Sequence, residues 1–198
     1  MSEKKGFVTV GHGKKDLNTF IYTLLRYKVN CIVDVRSSPY SKYSPQFNKE
    51  NFECELSKHK ISYRWLGDSL GGRPSDLSTY DEDGIVDYDK LIKSNLFSKG
   101  LEKLEELSIP YNVGIMCSEH DPLTCHRFLA ISKELARRQY RIVHILDQRH
   151  FVKQSVLEDK LVETYFGEYI QMDLFSDNQD ILAQSYVKQN RKCGYRRK

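Results

Sequence analysis

Long apolar runs are missing from this chain of 198 residues. No stretch approaches the roughly 20 consecutive apolar residues that a membrane-spanning helix needs. Cysteine is sparse: the five (Cys31, Cys54, Cys117, Cys125 and Cys193) form an odd set with no paired local spacing, which argues against a disulfide framework. The opening Met-Ser-Glu-Lys-Lys-Gly carries no apolar segment of the kind a secretory signal has. These absences predict a cytoplasmic protein with reduced thiols and no membrane partner. Also lacking are a glycine-rich dinucleotide fingerprint, a phosphate-binding P-loop and a firm metal-ligand set. No internal repeat or low-complexity tract occurs.

What is present is enough apolar material for one good core, at 39% hydrophobic residues, and the expectation is a single α/β domain with appendages. The net charge of +4 misleads as an average. Lys188, Arg191, Lys192, Arg196, Arg197 and Lys198 contribute six positive charges with no acid among them, so residues 1–187 carry a net charge of −2. The basic character reads as a tail, not as a basic globular face.

Phe7-Val8-Thr9-Val10 reads as a short strand ending in Gly11-His12-Gly13, and Asp16 as the cap of a helix with Leu17, Phe20, Ile21, Leu24 and Leu25 on one stripe. Cys31-Ile32-Val33-Asp34-Val35 is the next strand. Strands this continuously apolar suit a parallel sheet covered on both faces. A Ser/Pro/Tyr loop over 37–47, a helix near 48–59, a strand at 61–66, a polar insertion from about 70 to 84 and helical material over 88–107 follow. A strand into Cys117 with its helix, a strand over 141–146 and a helix over about 151–166 complete the domain. The predicted architecture is a Rossmann-like, open, mostly parallel sheet flanked by helices over 1–167. Residues 168–198 form a C-terminal extension, partly helical around 180–188.

The densest chemistry lies in Cys117-Ser118-Glu119-His120-Asp121-Pro122-Leu123-Thr124-Cys125-His126-Arg127, between a strand end and the mouth of a helix, with Asp121-Pro122 read as its N-cap and first residue. In an open α/β sheet that edge is where ligands bind. His12 follows the first strand and Asp34 and Arg36 the second, so these groups are expected along one edge. His12 between two glycines suits a general acid/base, or a tight turn with a solvated ring. Asp34 and Arg36 alternate onto one side of their strand, where the carboxylate would orient His12 or the pair would grip an anion or act as a structural ion pair.

The loop Ser37-Ser38-Pro39-Tyr40-Ser41-Lys42-Tyr43-Ser44-Pro45 offers hydroxyls, a cation and rings suited to holding phosphate and stacking a base. Gly71-Gly72-Arg73-Pro74 is either a flap carrying an arginine or a plain turn. Cys117 and Cys125 admit three readings. As zinc ligands they would join His120 and His126, but the spacing is none of the usual ones and adjacent Cys125-His126 is awkward. As a nucleophile, Cys117 near a helix N-terminus and Arg127 would have a lowered pKa. Otherwise Cys125 packs under the helix while Arg127 and backbone amides bind an anion, with Cys117 as a participant.

The motifs Gly11-His12-Gly13, Asp34-Val35-Arg36-Ser37-Ser38-Pro39, Leu70-Gly71-Gly72-Arg73-Pro74 and 116–127 together resemble the bacterial family catalogued as domain of unknown function 488. The resemblance covers roughly residues 7–150. It implies a Rossmann-like fold and marks His12, Asp34, Arg36, Cys117, Cys125, His126 and Arg127 as signature positions. It implies no reaction. Separately, Gln171-Met172-Asp173-Leu174-Phe175 resembles the short peptide by which bacterial polymerases and repair proteins dock on the replication sliding clamp, with Leu174 and Phe175 as anchors and Gln171 fixing register.

The leading expectation is an enzyme that hydrolyses nucleic acid or nucleotide, linked to DNA repair or replication through the clamp, with no resident cofactor. Catalysis is assigned to His12, Asp34 and Cys117. Anion binding is assigned to Arg36, Ser37, Arg73, Cys125, His126 and Arg127, and clamp binding to Gln171, Leu174 and Phe175. Two alternatives stand beside it: a non-catalytic nucleotide- or DNA-binding adaptor, and a small-molecule thiol enzyme using Cys117.

Overall fold

The computed structural model describes residues 6–167 and 178–197. Strand β1 (Phe7–Gly11) leads through Asp16, whose Oδ1 accepts the Thr19 amide at 2.8 Å, into helix α1 (Leu17–Arg26). Strand β2 (Cys31–Asp34), helix α2 (Lys49–Lys58) and strand β3 (Ser62–Trp65) follow. Next come helices α3 (Gly67–Leu70), α4 (Tyr88–Ile92) and α5 (Asn95–Ser108), then strand β4 (Val113–Cys117). A 3-10 turn (Pro122–Thr124) and a π-helical segment (Arg127–Ser132) lead into helix α6 (Lys133–Arg137). Strands β5 (Ile142–Ile145) and β6 (Phe151–Lys153) and helices α7 (Gln154–Phe166) and α8 (Asn178–Cys193) complete the chain.

The sheet order is β3-β2-β4-β1-β5-β6, parallel throughout except for antiparallel β6. This is the open, mostly parallel α/β sheet expected. The first turn of the helix expected over 151–166 is instead strand β6, because Phe151-Val152-Lys153 pairs with β5. Edge pairing there outweighs a local preference that short segments hold only weakly.

Alternation along each strand sorts its side chains between two apolar layers. Val10, Ile32, Tyr63, Met116 and Ile145 pack with Phe20, Leu24, Phe47, Phe52 and Leu56 from α1, α2 and the loop before α2. Cys31, Val33, Ile115 and Cys117 pack on the other face with Phe97, Leu101, Phe128, Leu135, Leu157 and Tyr186. The described part of the extension belongs to that second layer. Gln154 Nε2 donates to Tyr186 Oη at 2.8 Å, Tyr165 Oη to Gln189 Oε1 at 2.7 Å and Gln189 Nε2 to the Leu123 carbonyl at 2.8 Å. Arg196 bridges Ile85, and Arg191 pairs with Asp83 at 2.6 Å. The described end of the chain is therefore tied to the domain, where the sequence read as a basic tail. Among the described residues no helix is long and apolar enough to cross a membrane.

One core group makes the fold acid-sensitive. His144 on β5 is fully buried, with Nδ1 2.8 Å from Thr9 Oγ1 and Nε2 2.8 Å from Gln154 Oε1. Burial lowers its pKa to about 4. The unfolded chain, titrating near 6.5, takes the proton first as pH falls, so the stability present above about 6.5 drains away down to about 4. At pH 5 this single residue costs about 2 kcal/mol. Denaturation at pH 7.5 and pH 5 should therefore show the natural protein losing about 2 kcal/mol more than a His144→Asn variant; equal losses would contradict it.

Candidate functional site

The carboxyl ends of β2 and β4, neighbours in the sheet, open onto a cleft of about 400 Å³. Arg36, Ser37, Ser38, Tyr40 and Ser41 from the loop after β2 line it. Gly72 and Arg73 from the turn after α3 line it as well, with Tyr88, Cys193 and Tyr195. Cys117, Ser118, Glu119, Thr124, Cys125 and His126, from β4 and the loop that follows it, also line the cleft.

Arg36 is held from behind. Its Nε and Nη2 bind Asp34 Oδ1 and Oδ2 at 2.9 and 2.6 Å, and Nη2 also donates to the Phe47 carbonyl at 2.7 Å. Tyr63 Oη donates to Asp34 Oδ2 at 2.7 Å. The planar fork is thereby fixed by Asp34 and the Phe47 carbonyl, which leaves Nη1 without a protein partner among the described residues, on a residue that lines the cleft. The Arg73 guanidinium lies 4.7 Å from the centre of the Tyr195 ring, and the Arg73 backbone amide donates to Ser37 Oγ at 2.9 Å. The turn that carries it is pressed onto the floor: a Cβ on Gly72 would sit 2.8 Å from His126 Nδ1, so only glycine allows this approach.

At the floor, one Glu119 oxygen lies 2.9 Å from Cys117 Sγ and 3.2 Å from Cys125 Sγ. His126 Nδ1 lies 3.8 Å from each sulfur, and its Nε2 is 3.1 Å from the Val35 carbonyl. Burial pushes the Cys117 thiol well above its ordinary value, and the neighbouring Cys125 and Glu119 add to this. Burial acts on Cys125 too, but the hydrogen bond from Cys117 and the charges of Arg127 and His126 outweigh it and bring Cys125 well below the usual thiol range. Burial also raises the Glu119 carboxyl, despite the exposure of the residue's other atoms at the rim. Burial alone would lower His126, yet the adjacent Cys125 sulfur and Glu119 raise it.

The residues singled out in the sequence thus meet at one sheet edge but divide between its two faces. His12 and Cys117 are neighbours through the His12 amide, which donates to the Cys117 carbonyl at 3.0 Å. Their side chains part, because His12 follows Val10 onto the α1/α2 face while Cys117 follows Ile115 onto the other. The His12 ring stacks on Phe47 with centroids 4.4 Å apart, its Nδ1 donates to the Gly13 carbonyl at 3.0 Å, and its Nε2 is buried without a partner among the described residues. Burial lowers its pKa to about 4. Among the described residues no hydrogen bond joins Asp34 to His12; Asp34 serves Arg36 and Tyr63 instead.

Arg127, expected to clamp an anion, is completely buried and donates to the Glu119 and His120 carbonyls at 2.5 and 2.9 Å. It shapes the loop and does not line the cleft. Cys117, where a lowered thiol pKa was expected, is buried, and burial raises it. His120 is turned away, 3.4 Å from Lys15 Nζ, and Glu119 occupies the place expected of it. Glu119 was within reach of the sequence, since Cys117-x-Glu119 puts two side chains on one side of an extended segment. Tyr88 and Tyr195 carried no such signal. Gln171, Leu174 and Phe175 lie outside the described residues.

No curated protein and no solved structure matches the chain. A family match covers residues 16–133, which is more than half of the chain and includes Asp34, Arg36, Arg73 and the whole loop from Cys117 to Arg127. On that match, the chain belongs to the family described as Domain of unknown function DUF488.

Proposed function

We propose that this protein is a hydrolase that takes a phosphate-bearing nucleotide or nucleic-acid end into the cleft between β2 and β4. The observation that carries this reading is that two arginines, Arg36 and Arg73, line one cavity of about 400 Å³ together with Cys117, Glu119, Cys125 and His126. Fixed guanidinium groups match phosphate oxygens in number and geometry. The hydroxyls of Ser37, Ser38 and Ser41 add acceptor and donor positions, and the Tyr40 and Tyr195 rings are surfaces on which a base would stack. The four floor residues are the acid–base groups nearest the bound ligand, so the reaction is assigned to them in place of His12.

Arg73 offers the cleanest test, because it is exposed and its replacement leaves the core intact. Arg73→Ala should weaken binding of a 5′-phosphorylated oligonucleotide about tenfold or more, by calorimetric titration at fixed salt. Unchanged affinity would remove the phosphate assignment. Binding without any product over long incubation would make the protein an adaptor, the alternative that shares this cleft.

Recruitment to DNA is part of the same proposal, supported by Gln171, Leu174 and Phe175 in the sequence alone. Loss of two apolar anchors in such a peptide typically costs a few kcal/mol. Leu174→Ala with Phe175→Ala should therefore abolish capture by purified sliding clamp and leave oligonucleotide binding unchanged; no capture of the natural protein would end the clamp reading.

A further inference from the structure

We infer that Cys117, Glu119, Cys125 and His126 hold one zinc ion at the floor of the cleft. Their four donor atoms, two sulfurs, a carboxylate oxygen and an imidazole nitrogen, all lie within 4.8 Å of one another. A tetrahedral zinc with bonds of about 2.0–2.3 Å sets its ligands roughly 3.3–3.8 Å apart. The observed spacings of 3.8 Å from each sulfur to Nδ1 fit that geometry, and those of 2.9 and 3.2 Å from the sulfurs to the carboxylate reach it by a small outward shift of Glu119. Two thiols with an imidazole select zinc over magnesium or calcium, which prefer oxygen.

The surroundings suit a metal ligand set in three further ways. His126 Nε2 donates to the Val35 carbonyl, which fixes the tautomer that turns the Nδ1 lone pair toward the sulfurs, as metal-bound histidines are commonly held. The Arg127 amide donates to Cys125 Sγ at 3.4 Å, and its guanidinium braces the carbonyls of Glu119 and His120. The adjacency of Cys125 and His126, awkward within a regular helix or strand, is resolved by the backbone. Cys125 is extended at φ −127°, ψ 139°, and His126 turns helical at φ −56°, ψ −24°, which brings successive side chains to one point.

Three ligands are buried, while Glu119 stands at the rim and is the ligand that a substrate or water in the cleft would displace. A zinc ion there would polarise a phosphoryl or carbonyl oxygen, or activate water for hydrolysis. That catalytic consequence rests on the hydrolase reading; the presence of the ion does not.

The test is metal analysis of the full chain purified without chelators, followed by zinc titration of the stripped protein against a chromophoric chelator and cobalt substitution. The expected result is about one zinc per chain and a cobalt form with thiolate-to-metal absorption in the near ultraviolet. Glu119→Gln, at the exposed rim, should keep the fold by circular dichroism and weaken zinc about tenfold or more, while His120→Ala leaves it unchanged. Absence of zinc with no uptake of zinc or cobalt overturns the inference, as does a Cys117–Cys125 disulfide in the freshly purified protein. So does zinc affinity indifferent to both Glu119→Gln and Cys125→Ser. Oligonucleotide binding, measured separately on the zinc-loaded protein, tells failure of the substrate reading from failure of the metal site.

Discussion

Replacing Arg36 with methionine is expected to destabilise the protein by about 3–5 kcal/mol, the cost of leaving a buried charge without its partner. Asp34 is fully buried and Arg36 supplies three of its hydrogen bonds, two from Nε and one from Nη2. Methionine fills much of the volume and offers no donor, so the carboxylate would retain only the Arg36 amide and Tyr63 Oη. The Phe47 carbonyl would lose its donor as well. Tyr63→Phe, which removes a single neutral donor, should cost only about 1 kcal/mol. Chemical denaturation of both variants decides the point, and a loss below 1 kcal/mol for Arg36→Met would mean that the pair is held only for ligand binding. A protein that retains such a pair beside a cleft does so at some expense of stability, which fits a guanidinium pre-set for an anion.

Arg127→Met is expected to be nearly as damaging, by about 2–5 kcal/mol, because two carbonyls of the loop after β4 lose their donor. The effect should also be local in a telling way. The loop that carries Glu119 is packed against β1 so closely that a Cβ on Gly11 would collide with the Glu119 carbonyl. Released from Arg127, that loop should exchange its amide hydrogens faster, and zinc affinity should fall together with oligonucleotide affinity. Arg127→Lys separates this role from direct anion binding. Lysine keeps the charge but cannot span both carbonyls, so near-natural stability and ligand affinity in that variant would contradict the bracing role.

The mostly parallel sheet and the chemistry-rich loops at its edge were legible because each signal was local. Apolar runs marked buried parallel strands, Asp16 marked a helix start, and residues just after strands marked the ligand-binding edge. What could not be read was register, which decides the face each side chain takes. Register pairs Asp34 and Val10 with Met116, and Gly11 with Cys117, so Asp34 and Cys117 leave the sheet on opposite sides. His12 and Asp34 therefore stand on one face and Cys117 on the other, although all three stand at one edge.

Arg127 was misread for a related reason. An arginine beside a helix start looks like an anion clamp until the loop's own carbonyls are found on its guanidinium. The expected cap at Asp121 exists, with Oδ1 accepting the Leu123 amide at 2.9 Å, but it closes a 3-10 turn, and the helix proper starts at Arg127 with a π-helical segment. Between the two, Cys125 is extended and His126 turns helical, which brings their side chains together.

The single tryptophan provides the most direct test of the central claim, that the cleft holds a phosphate-bearing ligand on Arg36 and Arg73. Trp65 Nε1 donates to the Arg36 carbonyl at 2.9 Å, so its emission reports on the residue that the ligand is proposed to engage. Titration with a 5′-phosphorylated oligonucleotide should give a saturable fluorescence change that weakens with salt and shifts about tenfold or more to higher concentration in Arg73→Ala. A flat titration with nucleotides and oligonucleotides alike, or a response identical in Arg73→Ala, would contradict it.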